Sequence, residues 1–266
     1  MKLHWVLVIL LVILQSSCKK QVELPIVDVY GHAGISLHRD RAIFPANSYE
    51  ANEYAIDVLG ADGVEMDVQM TKDSVLVLFH DPYLNQSSNM DGCISQYNYD
   101  QIKDLKLDFT KYKLVKLKDV LNLTESRNIK IYLDIKTYSY CDGRISESAF
   151  QYALDMASID LSDNHKTHVY LGMLDLEFLK NITYPTKCYE STNVNSAIQT
   201  AQNNGFQALT FQTSLIGQTE SEKLNTSGLY WGVFGIKDKW SIDNAISFSP
   251  KFVITDNISY TNQITK

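Results

Sequence analysis

Residues 63–81 read GVEMDVQMTKDSVLVLFHD, and their spacing decides more about the fold of this 266-residue chain than any other stretch. Side chains two apart in a strand share a face, so a strand over 64–68 sets Glu65 and Asp67 side by side. Lys72-Asp73-Ser74 is turn-like and too short for a helix, so 75–79 returns as the second arm of a hairpin and ends at His80. Outside this hairpin, short β-branched runs alternate with helix-like stretches, the signature of βα units around a parallel sheet. The pattern predicts strands at 26–30, 129–135, 167–171, 207–211, 229–234 and 252–255. Helices are predicted from a cap at Asn47 or Ser48 to a stop at Gly60, and near 117–126, 147–157, 175–180, 193–204, 218–225 and 240–248. The count suits an α/β barrel of TIM (β/α)8 type, one domain over residues 26–266. A polar stretch at about 81–116, rich in Asn, Ser and Asp, reads as a small insertion after the second βα region.

Residues 1–17 read separately. Lys2 supplies a positive start, 5–14 is almost wholly apolar, and Ser16-Ser17 precede Cys18, the pattern of a cleavable export signal. An apolar run of about ten residues is half the roughly twenty that span a hydrocarbon core. The position of Cys18 resembles the bacterial lipoprotein box. That resemblance implies lipidation at Cys18, export, and a lipid anchor to the membrane at the cell envelope or periplasm; plain secretion is the alternative. Cys93, Cys141 and Cys188 remain, enough for one internal bridge, and the sequence does not choose the pair. No CxxC pair points to thiolate zinc. The net charge of −7 argues against nucleic acid as a partner, because nonspecific binding needs clustered cations against phosphates.

Two carboxylates on one strand face repel unless a cation compensates, and oxygen ligands suit one divalent metal ion, Mg²⁺ or Ca²⁺. Glu65 and Asp67 taken alone fit a solvated strand face equally well. A second apolar strand carries Asp134 and Lys136 on one face; Asp134 is placed to complete the metal set, and Lys136 to balance an anion as a point charge. His32 and His80 each end a strand, and two imidazoles supply the two proton transfers that cleaving a phosphodiester requires.

Several motifs in order and spacing resemble the glycerophosphodiester phosphodiesterase family. They are Gly31-His32-Ala33-Gly34, Pro45-Ala46-Asn47-Ser48, the run from Gly60 to Asp73, Phe79-His80-Asp81, Leu133-Asp134-Ile135-Lys136 and Phe252-Val253-Ile254-Thr255-Asp256. The likeness covers nearly the whole chain after the leader. It implies a TIM-type barrel with an insertion after the second histidine, and metal ligation by Glu65, Asp67 and Asp134. It also implies acid/base catalysis by His32 and His80, a phosphate contact from Lys136, and a pocket aromatic at Trp231. The implied substrate is a small phosphodiester, cleaved to glycerol phosphate and an alcohol.

Three positions depart from the family pattern. Ala33 stands where arginine is usual, Ala46 where glutamate is usual, and Asp134 where glutamate is usual. The first removes a bidentate phosphate contact, for which Lys136, or Arg39 and Arg41 nearby in sequence, would compensate only in part. The last keeps the carboxylate, as in the spider-venom-type sphingomyelinase D enzymes. Two other readings therefore stand beside the first: a phospholipase D-type enzyme acting on lysolipid or sphingolipid phosphodiesters, and a binding barrel without turnover.

Overall fold

The structure is a computed structural model that describes residues 26–38 and 42–266; the expected leader, Cys18, Arg39 and Arg41 lie outside those residues. The strands in chain order are β1 (Asp28–Gly31), β2 (Gly63–Met70), β3 (Leu76–Leu78), β4 (Val115–Lys116) and β5 (Lys130–Ile135). Then follow β6 (Tyr138–Ser139), β7 (Gly143–Arg144), β8 (Val169–Met173), β9 (Lys187–Glu190), β10 (Ala208–Gln212), β11 (Tyr230–Ile236) and β12 (Phe252–Thr255). Eight of them form a parallel barrel in the order β1-β2-β5-β8-β9-β10-β11-β12, closed by β1 lying between β12 and β2.

The helices cover the outside of this barrel. They are α1 (Tyr49–Asp57), α2 (Tyr99–Ile102), α3 (Leu117–Arg127), α4 (Glu147–Ala157) and α5 (Asp163–Lys166). After them come α6 (Leu176–Asn181), α7 (Val194–Asn204), α8 (Gln218–Thr226), α9 (Lys239–Ser247) and α10 (Ile258–Thr265). Side-chain caps set several starts: Ser48 accepts from the Ala51 amide, Asp175 from Phe178 and Asn193 from Ser196.

The eighth stave is β9, a segment not predicted as a strand. Its four residues, KCYE, follow Pro185 and carry a charge at each end, too short and too polar for a periodicity signal. The 75–79 arm instead pairs antiparallel with β2, Val68 opposite Leu78, and β4 extends the same flap. Between Asp81 and Lys116 the chain builds a small apolar cluster of its own, in which Leu84, Ile94, Ile102, Leu105, Leu107 and Leu114 pack on Val77 and Phe79. Cys93 in this segment is bonded to Cys141 in the β6–β7 hairpin, and Cys188 is free and buried inside the barrel.

The floor of the barrel, at the N-terminal ends of the strands, is filled with rings. Tyr30, Tyr132, Cys188, Ala208 and Phe252 form a buried cluster flanked by Tyr170 and Tyr230. Gly172 makes room for one of them, since a Cβ there would stand 2.1 Å from the Tyr132 ring. A larger apolar layer separates the strands from the surrounding helices.

Candidate functional site

Alternation along the strands carries the inward face from aromatic at the floor to charged at the mouth. On β2 the inward side chains are Glu65 and Asp67, and on β5 Asp134 lies directly opposite Asp67 in the parallel register. One carboxylate oxygen from each of Glu65, Asp67 and Asp134 lies within 4.8 Å of the others. Glu65 and Asp67 are buried, and Asp134 is partly so. An all-oxygen donor set of this size suits a hard divalent cation.

Each acid is also held by the protein. Glu65 Oε2 accepts the Ala33 amide at 2.8 Å. Asp67 Oδ2 accepts the Asn47 side-chain amide at 2.8 Å, and the Asp67 amide donates back to Asn47 Oδ1 at 3.0 Å. Lys136 Nζ lies 2.8 Å from Asp67 and 2.6 Å from Asp134, bridging the two opposed acids. Burial works against the Lys136 charge, yet the fields of Asp67 and Asp134 hold its pKa above the ordinary lysine range. Burial, and then the neighbouring Asp67, push Glu65 up to about 8, so the cluster as it stands is short of positive charge.

His32 arrives from β1 through a turn that needs glycine. A Cβ on Gly31 would stand 1.8 Å from the Gly34 carbonyl oxygen, and Ala33 sits at φ 49°. The turn puts His32 Nε2 3.9 Å from Glu65 and lets Nδ1 donate to Asp256 Oδ1 at 2.9 Å. Asp256, just past β12, also accepts from the Ser36 hydroxyl and the Leu37 amide. Burial disfavours the imidazolium, but the Asp256 hydrogen bond and the fields of Glu65 and Asp256 raise His32 to about 9.

His80 reaches the mouth because the β2–β3 hairpin doubles back. The Phe79 amide donates to the Asp67 carbonyl at 3.0 Å, which brings the next residue level with the carboxylates. Gln69 fixes this end by donating to the carbonyls of Phe79 and Asp81. His80 Nδ1 donates to Asp81 Oδ1 at 2.9 Å; that bond raises its pKa, burial opposes it, and Asp67 adds to the rise. A carboxylate only accepts, so in both histidines Nδ1 donates to its carboxylate and Nε2 is the nitrogen left for proton exchange with a reacting group.

Six of the seven residues singled out from the sequence within the described chain, His32, His80, Glu65, Asp67, Asp134 and Lys136, thus meet at one mouth. Trp231 does not. It is 0% exposed, packs in the layer between strands and helices, and donates its indole N–H to Asn225 of α8 at 3.1 Å. It takes the wrong parity of β11; Phe234, three residues on, is the β11 aromatic near the mouth and packs with the interior rings. The positioning partners Asn47, Asp81 and Asp256 were quoted in motifs without a role. Glu190 on β9 was missed altogether: burial, and then Asp134, push it up to about 7. Its strand gave no signal of its own.

Two cavities flank His80. One of 280 Å³ is lined by Leu37, Ala46, Asn47 and the insertion residues Ser87 and Leu107, and one of 220 Å³ by Gln69, Lys136, Tyr138 and Tyr140.

Residues 40–259 match the model of the glycerophosphoryl diester phosphodiesterase family. A glycerophosphodiester phosphodiesterase of Bacillus altitudinis is 26% identical over 171 residues, 57% of this chain and 67% of that protein. One from Caldanaerobacter subterraneus subsp. tengcongensis is 29% identical over 157 residues, 52% of this chain and 64% of its own. The matched stretches therefore span roughly two thirds of those relatives. Among solved structures, an Oleispira antarctica phosphodiesterase in complex with the product sn-glycerol-3-phosphate has a TM-score of 0.76 at 18% identity, covering 90% of this chain and 96% of that one. A glycerophosphoryl diester phosphodiesterase structure from Silicibacter pomeroyi has a TM-score of 0.77 at 16% identity, covering 91% and 93%. The barrel has the fold of those solved phosphodiesterase structures. The chain belongs to the glycerophosphoryl diester phosphodiesterase family.

Proposed function

We propose that this protein hydrolyses small glycerophosphodiesters to glycerol phosphate and an alcohol, with one divalent cation held by Glu65, Asp67 and Asp134. The observation that carries the reading is the pair of carboxylate-anchored imidazoles, His32 and His80, beside that acidic triad. The cation, when bound, supplies Lewis acidity to a phosphoryl oxygen. Lys136 adds a fixed positive charge next to the phosphate position. One imidazole takes a proton from the attacking water as its oxygen bonds to phosphorus; if a substrate hydroxyl attacks instead, the cyclic phosphate it forms is opened by water in a second such step. The bond from phosphorus to the alcohol breaks, and the other imidazole protonates the departing alkoxide. Asp256 and Asp81 fix the ring orientations that make this exchange possible.

Export and a lipid anchor at Cys18 belong to the same proposal. The Cys93–Cys141 disulfide supports export, because such bridges persist in oxidising compartments. A lipid-directed, phospholipase D-type reading is favoured by one feature. Exposed Ile43, Phe109, Leu174 and Trp240 all lie on segments that follow strand ends at the mouth.

The test is turnover of glycerophosphocholine, glycerophosphoethanolamine and lysolipids with Mg²⁺ and Ca²⁺ compared. Release of glycerol phosphate that stops in EDTA and returns with metal is the expected result. A rate untouched by excess chelator would overturn the metal assignment, and lysolipid cleavage outpacing the soluble esters would favour the second reading.

A further inference from the structure

The smaller cavity beside His80 has a wall that the reaction above leaves unused. Tyr138 and Tyr140 line it, and Tyr83 stands behind them. The three rings touch in series, Tyr138 to Tyr140 at 5.8 Å between centroids and Tyr140 to Tyr83 at 5.9 Å. Such contacts normally serve to bury rings, yet these are 59%, 66% and 41% exposed respectively. The hairpin that bears two of them is clamped to the insertion. Cys141 is bonded to Cys93, and Ser95 Oγ lies 2.6 Å from both Ser139 Oγ and Asp142 Oδ2. The rings are therefore held in place before any ligand arrives, which lowers the cost of ordering them on binding.

Three of the polar side chains of this cavity are already engaged. Gln69 donates to two carbonyls, Ser139 accepts from the amides of Cys141 and Asp142, and Lys136 is held by Asp67 and Asp134. What remains open is the exposed ring surface of Tyr138 and Tyr140 with their hydroxyls, beside His80. A quaternary ammonium needs no hydrogen-bond partner and is attracted to aromatic faces. The charged groups that line the cavity are Lys136, held between Asp67 and Asp134, and His80, held by Asp81, so the aromatic faces are what would draw a cation. At 220 Å³ the space takes a head group rather than an acyl chain. His80 borders both cavities, so each adjoins the charged mouth.

We propose that Tyr83, Tyr138 and Tyr140 form a subsite for a trimethylammonium head group, so that choline esters are the preferred substrates. This rests on the phosphodiesterase reading for its kinetic arm alone. Choline chloride added to the full-length protein is expected to show saturation transfer to its methyl protons by NMR, and Tyr140→Ala to abolish it. In turnover, Tyr140→Ala is expected to lower kcat/KM for glycerophosphocholine about tenfold through KM, the size of one desolvated cation–π contact. Glycerophosphoglycerol should stay within about twofold, and Tyr140→Phe should retain choline preference because the ring, not the hydroxyl, does the binding. An equal loss for both esters, or no transfer to choline in the unsubstituted protein, overturns the subsite. Choline binding through Tyr140 without hydrolysis of any ester would leave the subsite standing and sink the phosphodiesterase reading instead.

Discussion

The two ends of the barrel interior solve opposite problems with the same inward face. At the floor, buried polar groups pair within the protein: Tyr230 bonds to Asp28, Lys130 lies 2.6 Å from Asp28, and Tyr132 meets Thr210 at 2.8 Å. Phe252 packs between Tyr30 and Tyr230 with centroids 5.1 and 5.0 Å away. At the mouth, three carboxylates converge with Lys136 as the cation that bridges two of them. The floor is satisfied by itself, and the mouth is satisfied only with a further positive charge. That contrast separates stability from chemistry along one column of side chains.

The sharpest way to break the comparison is at the histidines. His32→Ala or His80→Ala is expected to lower kcat by about 10²–10⁴; the melting temperature should barely move for His80→Ala, whereas His32→Ala should also lower it by removing a partner of buried Asp256. Initial rates beside thermal unfolding curves check this; a variant with full activity would remove that histidine from the mechanism. At the floor the pattern should invert. Phe252→Ala is expected to cost about 3–5 kcal/mol of stability while the folded fraction retains its turnover, read from urea midpoints and rates normalised to folded protein.

A smaller effect of opposite sign tests the charge deficit itself. In metal-free buffer, Glu65→Gln is expected to stabilise the fold by about 1 kcal/mol, because an amide spares the fold the cost of burying an ionisable carboxyl beside Asp67 and keeps an oxygen for the Ala33 amide. A destabilised variant would show that the triad is self-compensated. The smallest effect lies outside both ends. Burial holds the pKa of His165 down, so the fold favours its neutral form. That contribution is present above the ordinary histidine pKa and is lost as pH falls below it. The melting temperature should therefore drop a little more between pH 7.5 and 5 in the parent than in His165→Gln. Identical pH curves for the two would argue against it.

Much of the site was legible because it obeys strand parity. Glu65 with Asp67, and Asp134 with Lys136, sit two apart in apolar strands, and each histidine ends one. Trp231 shows where that logic stops. Residues 230–234 read YWGVF, with aromatic side chains on both faces, so composition cannot say which ring looks inward. β9 was missed for a related reason: four residues with charged ends look like a loop until neighbouring strands supply hydrogen bonds on both sides.

The sequence by itself determined the alternating βα order, the two acidic strand faces, the strand-ending histidines and the family resemblance, because each is written in local periodicity or contiguous motif. Only the tertiary structure decided which eight strands close and that Cys93 pairs with Cys141. It alone also set Asp256 and Asp81 behind the imidazoles and turned Trp231 away from the mouth. Those outcomes depend on barrel register and on contacts between residues as much as 224 positions apart, which no local pattern encodes.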